Sequence, residues 1–487
     1  MTDDKRPGGP GQPETPGSSG NYGNSGNSGD SGDSGNSGHP DGPDKEGGAG
    51  VGTLITPEVE APQTATGAAA RTLERAALRR ALVTGIGFIV VGLYALWAFG
   101  LGTDSGVDAV FGMNIANSSA TEVSPLHVAA RGTAIAMSIV CMAAGVLRIV
   151  FDKSKLWRRV SAGLFVAAFV VAFLCWAVAG KSMSFAGALQ NTMLAATPLI
   201  LGALAGVIGE RSGIVNIAIE GQFLFGAFGA ALTASVTGSL TAGLFAGAAA
   251  GGLVGLLLAV FAVRYLVEQV VLGVVINLLV SGITGFLYTQ LLQPNSDKYN
   301  NPGVFANHKI PGLGDIPVIG PVLFDVNVIV YLMYALVAVV HFGLFYTRWG
   351  LRARAVGEHP TAADTVGIKV NRTRYINVGL AGCIAGIGGA FLTIGTVGTF
   401  SKDMASGAGY IALAAVIFGR WRPMGAVAAA LLFGFSKALA TSLQPLHTPI
   451  PAEFLNMIPY IVTVFAVAGL VGKVRPPAAA NKPYTKG

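Results

Sequence analysis

Polar side chains that could bind a solute are set into long apolar runs in the middle of the chain. Asn216 and Glu220 are four positions apart, so they share one face if residues 214–235 are helical. Ionisable groups at membrane depth are costly and tend to be functional. A carboxylate and an amide on one face can hydrogen-bond the hydroxyl groups of a polar solute. In the alternative interpretation, Glu220 pairs with Arg211 or caps a broken helix.

A second polar group lies in the middle of the apolar run 269–292. Asn277 either hydrogen-bonds a neighbouring helix or contacts a ligand. Taken with the first set, it gives four predicted residues of a substrate pathway: Asn216, Glu220, Phe223 and Asn277.

The sequence contains none of the common catalytic or metal-binding patterns. It has 3 cysteines, all within apolar runs, and its 6 histidines are scattered. There is no HExxH, GxSxG or GxxxxGK[ST] pattern, so we expect no metal site and no cofactor. The chain is predicted not to be an enzyme and not to bind ATP by the usual phosphate-binding loop.

The elements that position these residues are predicted to be membrane helices. The chain has 487 residues, of which 52% are hydrophobic and 12% charged, whereas about 25% is usual for the charged fraction of soluble domains. Apolar runs of about 20 residues are long enough to cross a bilayer as helices. The fold is therefore predicted to be all-α, a polytopic transmembrane helical bundle of about 10 to 12 segments. The net charge of +7 is attributed to cytoplasmic loops rather than to nucleic-acid binding.

Twelve runs are candidate spans, and two of them, 214–235 and 404–419, are Gly-rich enough to be re-entrant or broken. Glycines three or four apart, as in 243–255 and 379–386, predict close helix packing. The spans are 81–102, 128–150, 160–180, 187–208, 214–235, 240–263, 269–292, 326–347, 376–398, 404–419, 424–443 and 454–472.

Charge and composition divide the rest of the chain. Lys and Arg gather in alternate loops, which predicts that both termini are cytoplasmic. Residues 1–65 are rich in Gly, Ser and Asn and are predicted to be a disordered tail. Residues 66–180 are predicted to hold a basic lead-in and three peripheral helices, 181–475 the core, and 476–487 a short cytoplasmic tail.

One polar loop, 354–374, has helix signals of its own. Pro360 suits the first turn of a helix, and Gly367 suits its end. Glu358 would be favourable near the positive N-terminal end. Arginines alone would set the topology of this loop. Because Glu358, Pro360 and Gly367 are not needed for that, the loop is predicted to have a second role.

Four segments together resemble the permease subunits of bacterial ATP-binding-cassette importers. They are "ERSGIVNIAIEGQFLFGAFGAA" (210–231), "VEQVVLGVVINLLVSGITGFL" (267–287), "RAVGEHPTAADTVGIKVNRTR" (354–374) and "GYIALAAVIFGRWRPMGA" (409–426). The resemblance covers about residues 185–475 and is to the nucleoside and simple-sugar branch of the ribose and branched-chain amino acid permeases.

The resemblance implies nucleoside import across the cytoplasmic membrane of a bacterium, with ribose-like sugars as the alternative solute. It also implies a cassette ATPase subunit, a second permease subunit and an extracellular solute-binding lipoprotein as partners, besides membrane lipid. The ATPase would dock on a coupling loop formed by Gly357, Glu358, Pro360, Ala362, Ala363, Asp364 and Gly367. An ATP-independent secondary transporter is the alternative of another class, and it predicts an inverted repeat, which the sequence does not show.

Overall fold

The computed structural model describes residues 63–115, 122–151, 154–446 and 475–486, and positions 451, 453, 454, 457 and 460. For residues 63–77 and 155 it describes the backbone alone. The predicted tail 1–65 falls almost entirely, and the predicted span 454–472 largely, outside the described residues. The contacts below all lie within the compact unit 69–487.

Helices make up most of the described chain. The membrane-spanning and peripheral helices of the first half are α1 Gln63–Ala95, α2 Ala130–Val150, α3 Lys155–Ala177, α4 Phe185–Arg211, α5 Ile219–Thr237, α6 Leu240–Ala259 and α7 Gln269–Leu287. The second half contains α8 Ser296–Tyr299, α9 Ile319–Leu323, α10 Val328–Tyr346, α11 Arg348–Glu358, α12 Pro360–Thr365, α13 Val370–Leu392, α14 Ala408–Phe418 and α15 Pro423–Leu443.

Short π-helical turns extend four of these helices, α1, α6, α7 and α13; they are Leu96–Leu101, Val260–Arg264, Tyr288–Leu292 and Thr393–Val397. Short strands lie between spans: β1 Asp108–Gly112, β2 Leu126–Ala129, β3 Ser182–Ser184, β4 Asn307–Lys309 and β5 Asp325–Asn327. Strand β1 lies between β2 (antiparallel) and β3 (parallel), and β4 pairs with β5 antiparallel.

Within the described residues, 10 helices are long and apolar enough to cross a membrane. Each coincides with one of the predicted spans, so the polytopic helical prediction is confirmed. In the most apolar part of α4, 89% of the residues are buried, against 22%, 28% and 33% for α1, α2 and α3. Helix α4 is thus the most buried of the ten spans and lies at the centre of the bundle.

Of the two alternatives for 404–419, a full span and a re-entrant or broken segment, the structure has the second. The helix there, α14, has 11 residues, about 16 Å of α-helix. That length is about half of a hydrocarbon core of about 30 Å. Residues 402–407 form turns before it, and Gly407 has φ +80°, a left-handed conformation that favours glycine.

The other doubtful span, 214–235, contains helix α5, which is preceded by a non-helical stretch, 212–218, here called the broken entry of α5. Residues 212–218 are not helical, and α5 begins only at Ile219. Asn216 therefore does not lie on a helix face with Glu220, contrary to the prediction from their spacing. The turn starts at Gly213, whose φ of +89° ends the preceding helix.

Close packing at the repeated glycines is confirmed for α6 against α13. A Cβ on Gly251 would lie 2.4 Å from the carbonyl oxygen of Gly382. A Cβ on Gly386 would lie 2.3 Å from the carbonyl oxygen of Gly247. Because only hydrogen fits at such distances, these glycines let the two backbones touch, as small residues do in membrane bundles.

Candidate functional site

A cavity of about 510 Å³ lies between helix α4, the end of α13, the turns that precede α14, and helix α15. Its volume falls in the range of ligand pockets, about 300 to 1,000 Å³. The aromatic rings of Phe391 and Phe433 line it, together with the polar side chains of Asn191, Lys437 and Thr441. Aromatic surface with a few polar groups suits a solute with a planar or apolar face and hydroxyl groups.

The four predicted pathway residues do not line this cavity. They lie near one another around the broken entry of α5, where Asn216 and Phe223 are fully buried and Asn277 is 6% exposed. The amides of Asn216 and Gln222 hydrogen-bond each other reciprocally, both at 3.1 Å. Their role in a pathway stays a prediction.

Side chains of α7 hold the broken entry in place. Asn277 accepts a hydrogen bond from the Gly221 amide at 2.8 Å and donates to the Ile217 carbonyl at 2.9 Å. The side-chain Oε1 of Gln269 accepts from the Val215 backbone amide at 2.8 Å. Backbone groups left without helical partners at a break in a membrane helix must be satisfied by neighbours, and these amides satisfy them.

Glu220 fixes the start of the short helix α14. Its two carboxylate oxygens accept from the backbone amides of Gly407 and Gly409, each at 2.7 Å. It thus caps a helix as one alternative supposed, but the helix is α14 rather than its own. Because Ser406 and Ala408 line the cavity, the carboxylate positions one of the cavity walls.

Phe223 has a packing role in the structure. A Cβ on Gly202 or on Gly388 would lie 2.6 Å and 2.8 Å from its ring. The ring therefore occupies the space that two glycines leave between α4 and α13.

The predicted coupling loop contains two helices, α11 and α12. Pro360 is the first residue of α12, as predicted, and Gly367 follows its end with φ +83°. Ala363 is 3% exposed, whereas Val366 is 74% exposed. Ala362 is also exposed and Asp364 is half-buried, so α12 has a packed side and a free side.

The end of α11 is fastened to the end of α4. Glu358 lies 3.7 Å from the guanidinium of Arg211 and pairs with it, and it also stands two residues before α12 begins at Pro360. A Cβ on Gly357 would lie 2.1 Å from the Arg211 carbonyl oxygen. Only glycine permits this approach of the two backbones.

A strained turn, residues 419–422, packs against the same end of α4. Arg420 and Trp421 have φ of +55° and +53°, conformations that cost non-glycine residues about 1 to 3 kcal/mol each. The Trp421 indole donates to the buried carboxylate of Glu210, and Arg211 Nε donates to the Trp421 carbonyl at 2.9 Å. These bonds hold the turn in its strained form.

The C-terminal segment 475–486 packs beneath the coupling loop, which the sequence did not indicate. The Ala479 amide donates to the Gly357 carbonyl at 2.9 Å. Tyr484 packs with Val356, Ala363 and Val370. Burial of the phenol and its hydrogen bond with Asp364 raise the pKa of Tyr484.

The same segment reaches the start of α7. The side chain of Asn481 donates to Glu268 at 2.8 Å and accepts from the Gln269 amide at 3.3 Å. Glu268 also accepts from the Val271 amide at 2.6 Å, capping α7. Hydrogen bonds from the Val271 amide and from Asn481 lower the pKa of the Glu268 carboxyl.

Two comparisons find relatives of this chain. The model for the branched-chain amino acid transport system permease component matches residues 188–467, more than half of the chain. The guanosine ABC transporter permease protein NupQ of Bacillus subtilis (strain 168) is 44% identical over 305 residues, which are 61% of this chain and 95% of that protein.

Two further relatives are the nucleoside permease protein NupC of Lactococcus lactis and the putative glucose permease protein TsgC13 of Haloferax volcanii. They are 38% and 32% identical; the alignments cover 61% and 58% of this chain and 96% and 91% of the two proteins. No solved structure gives a significant match.

The matched region contains the cavity, the broken helix α5 and the coupling loop, and it agrees with the predicted limits of the resemblance. Helices α1–α3 lie before it. This chain therefore belongs to the family of permease components of the branched-chain amino acid transport system.

Proposed function

We propose that the chain is a transmembrane subunit of an ATP-driven importer of nucleosides. The observation that carries this proposal is its similarity, over nearly the full length of NupQ and NupC, to permeases named for guanosine and nucleosides. ATP would be hydrolysed in a separate cassette ATPase subunit. The chain itself would supply the pathway and switch it between its outward-open and inward-open forms.

The proposed docking element for the ATPase is α12 with the residues beside it. Its packed side is anchored through Ala363 to Val356 and Tyr484, so a push on the helix reaches α11 and the C-terminal segment. Its free side carries small and apolar groups, Ala362 and Val366, that suit a groove on a partner. Gly357 and Glu358 would pass the displacement to α4 through Arg211.

The proposed solute route runs through the cavity at the opposite part of α4. A nucleoside has a planar base and a hydroxylated ribose, which match the rings of Phe391 and Phe433 and the polar groups of Asn191 and Thr441. Glu220 and Asn277 support this route by fixing α14 and the entry of α5.

The proposed function also implies a membrane, an orientation of the chain in it, and two further partners. The chain would work in the cytoplasmic membrane of a bacterium, with both termini and α12 on the cytoplasmic side, where the ATPase binds. A second permease subunit would complete the pathway, and an extracellular solute-binding lipoprotein would deliver the solute.

The test is uptake into proteoliposomes that contain the chain with its ATPase and second permease subunits. Labelled guanosine, uridine, ribose and glucose would be offered with solute-binding protein, with and without ATP. We expect ATP-dependent uptake of nucleosides. Val366→Arg should abolish uptake without unfolding the chain, because it places a charge on the free side of the docking element.

Val304→Arg is the matched control, since Val304 is also exposed but lies in a loop far along the chain from α12. Equal loss in both variants would remove the assignment of α12. Uptake that needs no ATPase would contradict the importer mechanism itself and favour a secondary transporter.

Simple sugars are the second candidate, favoured by the 32% identity to a permease named for glucose. Uptake of ribose or glucose but not of guanosine or uridine would retain the mechanism and change the solute.

A further inference from the structure

A second cavity, here called the basic pocket, lies between α11, the residues after α12 and the start of α13. Its volume is about 910 Å³ and it is widely open. Four cationic side chains line it, those of Arg348, Arg352, Lys369 and Arg372, and none of the described Asp or Glu residues does. All four residues are exposed.

Within the described residues, none of these four charges is paired with an acidic side chain. In the part of the chain that the structure describes, the ion pairs are Arg211 with Glu358 and Lys309 with Asp315. None of the four cations has a side-chain hydrogen bond there either. Four unpaired cations around one open volume repel one another, which a bound anion relieves.

The lining of the basic pocket also includes the apolar side chains of Trp349, Leu351 and Ile376, besides the polar ones of Thr373 and Asn377. It also lies at the level where two spans end. The span α10 ends at Tyr346, and the span that contains α13 begins at Val370. Tryptophan, arginine and lysine at the ends of spans are typical of the headgroup region of a bilayer.

An apolar groove continues from the basic pocket along the membrane-spanning part of α13. Its volume is about 430 Å³, and Ile376 lines both cavities. Leu253, Leu256 and Leu380 form its walls, and Gly252 and Gly379 widen it between α6 and α13. On α13 the two linings form one stripe with helical spacing, through 369, 372, 376, 380 and 383.

We propose that the basic pocket and the apolar groove together bind one anionic phospholipid. Guanidinium and ammonium groups donate hydrogen bonds to the phosphate oxygens of the headgroup. The groove takes an acyl chain, for which a free phosphate or an acidic protein surface has no use. Basic pockets between membrane helices at the headgroup level are suited to anionic lipids.

Trp349 reports directly on the headgroup end of this site. The purified full chain would be placed in nanodiscs containing either phosphatidylglycerol or phosphatidylcholine with brominated acyl chains. Bromine quenches tryptophan fluorescence on contact, and the difference between the wild type and Trp349→Phe isolates Trp349 among the 5 tryptophans. We expect brominated phosphatidylglycerol to quench Trp349 at much lower mole fractions than brominated phosphatidylcholine.

The double variant Arg352→Gln with Arg372→Gln tests the charges. One basic residue near a membrane surface contributes about 5-fold to anionic lipid affinity, so two should cost about 30-fold. The matched control is Arg79→Gln with Arg80→Gln, the same change of charge at exposed positions of α1. We expect the control to retain the preference for phosphatidylglycerol.

Leu380→Trp in a Trp349→Phe background tests the groove. If one lipid fills both cavities, quenching of the new tryptophan should show the same preference and lose it when Arg352 and Arg372 are neutralised. Equal quenching by the two lipids, or a preference that survives the double variant, would overturn the proposal. A pocket that shows no lipid preference and is shielded only when the ATPase is added would instead be a protein interface.

Discussion

The two ends of α4 lie in opposite kinds of surroundings. Toward its start, Asn191 and Pro198 line an open cavity with polar side chains that have room for a solute. Toward its end, Glu210 and Arg211 are bound by the turn 419–422 and by the end of α11. About 20 Å of helix separates Pro198 from Arg211. One end is shaped for contact with something mobile, and the other is fixed to the element proposed to receive the ATPase.

The fixed end is held by the hydrogen bonds of Trp421 with Glu210 and Arg211, whereas the open end leaves the side chains of Asn191 and Lys437 exposed at the cavity. A helix can transmit a displacement along its axis only if the end that receives the push stays fixed to the element that moves it. In order of decreasing expected effect, the first two predictions and the last change the fixed end, and the third changes the open end.

Gly357→Ala should have the largest effect, because its Cβ would lie 2.1 Å from the Arg211 carbonyl oxygen. Overpacking of this kind costs about 1 to 3 kcal/mol or more, and relief by moving α11 would also disconnect α4. We expect a lower unfolding temperature and loss of ATP-dependent uptake. In the control Gly282→Ala, a Cβ meets nothing within 4 Å, and no destabilisation is expected.

Trp421→Phe should come next. It keeps an aromatic ring but leaves the 4% exposed carboxylate of Glu210 without its indole donor. An unsatisfied buried group costs about 1 to 3 kcal/mol, and the strained turn loses one of its two anchors. Denaturation in detergent would measure this loss. An unchanged unfolding temperature would show that the turn does not depend on Glu210.

Asn191→Ala should alter solute handling at the open end while leaving stability unchanged. Loss of one hydrogen bond of about 1 kcal/mol corresponds to a 5-fold rise in KM for the solute. Uptake kinetics and unfolding would be measured together. A fall in stability with an unchanged KM would reverse the proposed contrast between the two ends.

The smallest effect concerns the C-terminal segment at the fixed end. Because its hydrogen bonds lower the pKa of Glu268, this carboxylate stabilises the folded chain fully above its ordinary pKa. The contribution disappears as the pH falls through the lowered folded value. Glu268→Gln should therefore be less stable than the wild type at neutral pH, and the difference should disappear as the pH falls through the lowered folded pKa of Glu268. Unfolding of the two proteins at pH 3 to 7 would measure it.

Local patterns predicted the helices well. Runs of apolar residues indicated the ten spans, and glycines at helical spacing indicated the contact between α6 and α13, where Gly251 meets Gly382. Pro360 and Gly367 marked the limits of α12. These features are readable because each depends on residues within a few positions of one another.

Less of the candidate site could be predicted from the sequence. Spacing placed Asn216 and Glu220 on one helix face, but the break at 212–218 separated them. Glu220 binds amides 187 and 189 positions away, and Asn481 binds Glu268 at a separation of 213. The one available signal for the break was the Ser-Gly pair 212–213 after a charged helix end.

The sequence by itself determined that this chain is a membrane-embedded helical permease, because apolar length and the four family segments are properties of the linear chain. Only the tertiary structure decided which polar groups hydrogen-bond to other segments of the chain and which are left to contact a solute. It also decided that the C-terminal segment supports the coupling loop and that the basic pocket opens into an apolar groove. The physical reason is that a hydrogen bond or cavity depends on which distant segments meet, and packing of the whole bundle fixes those meetings.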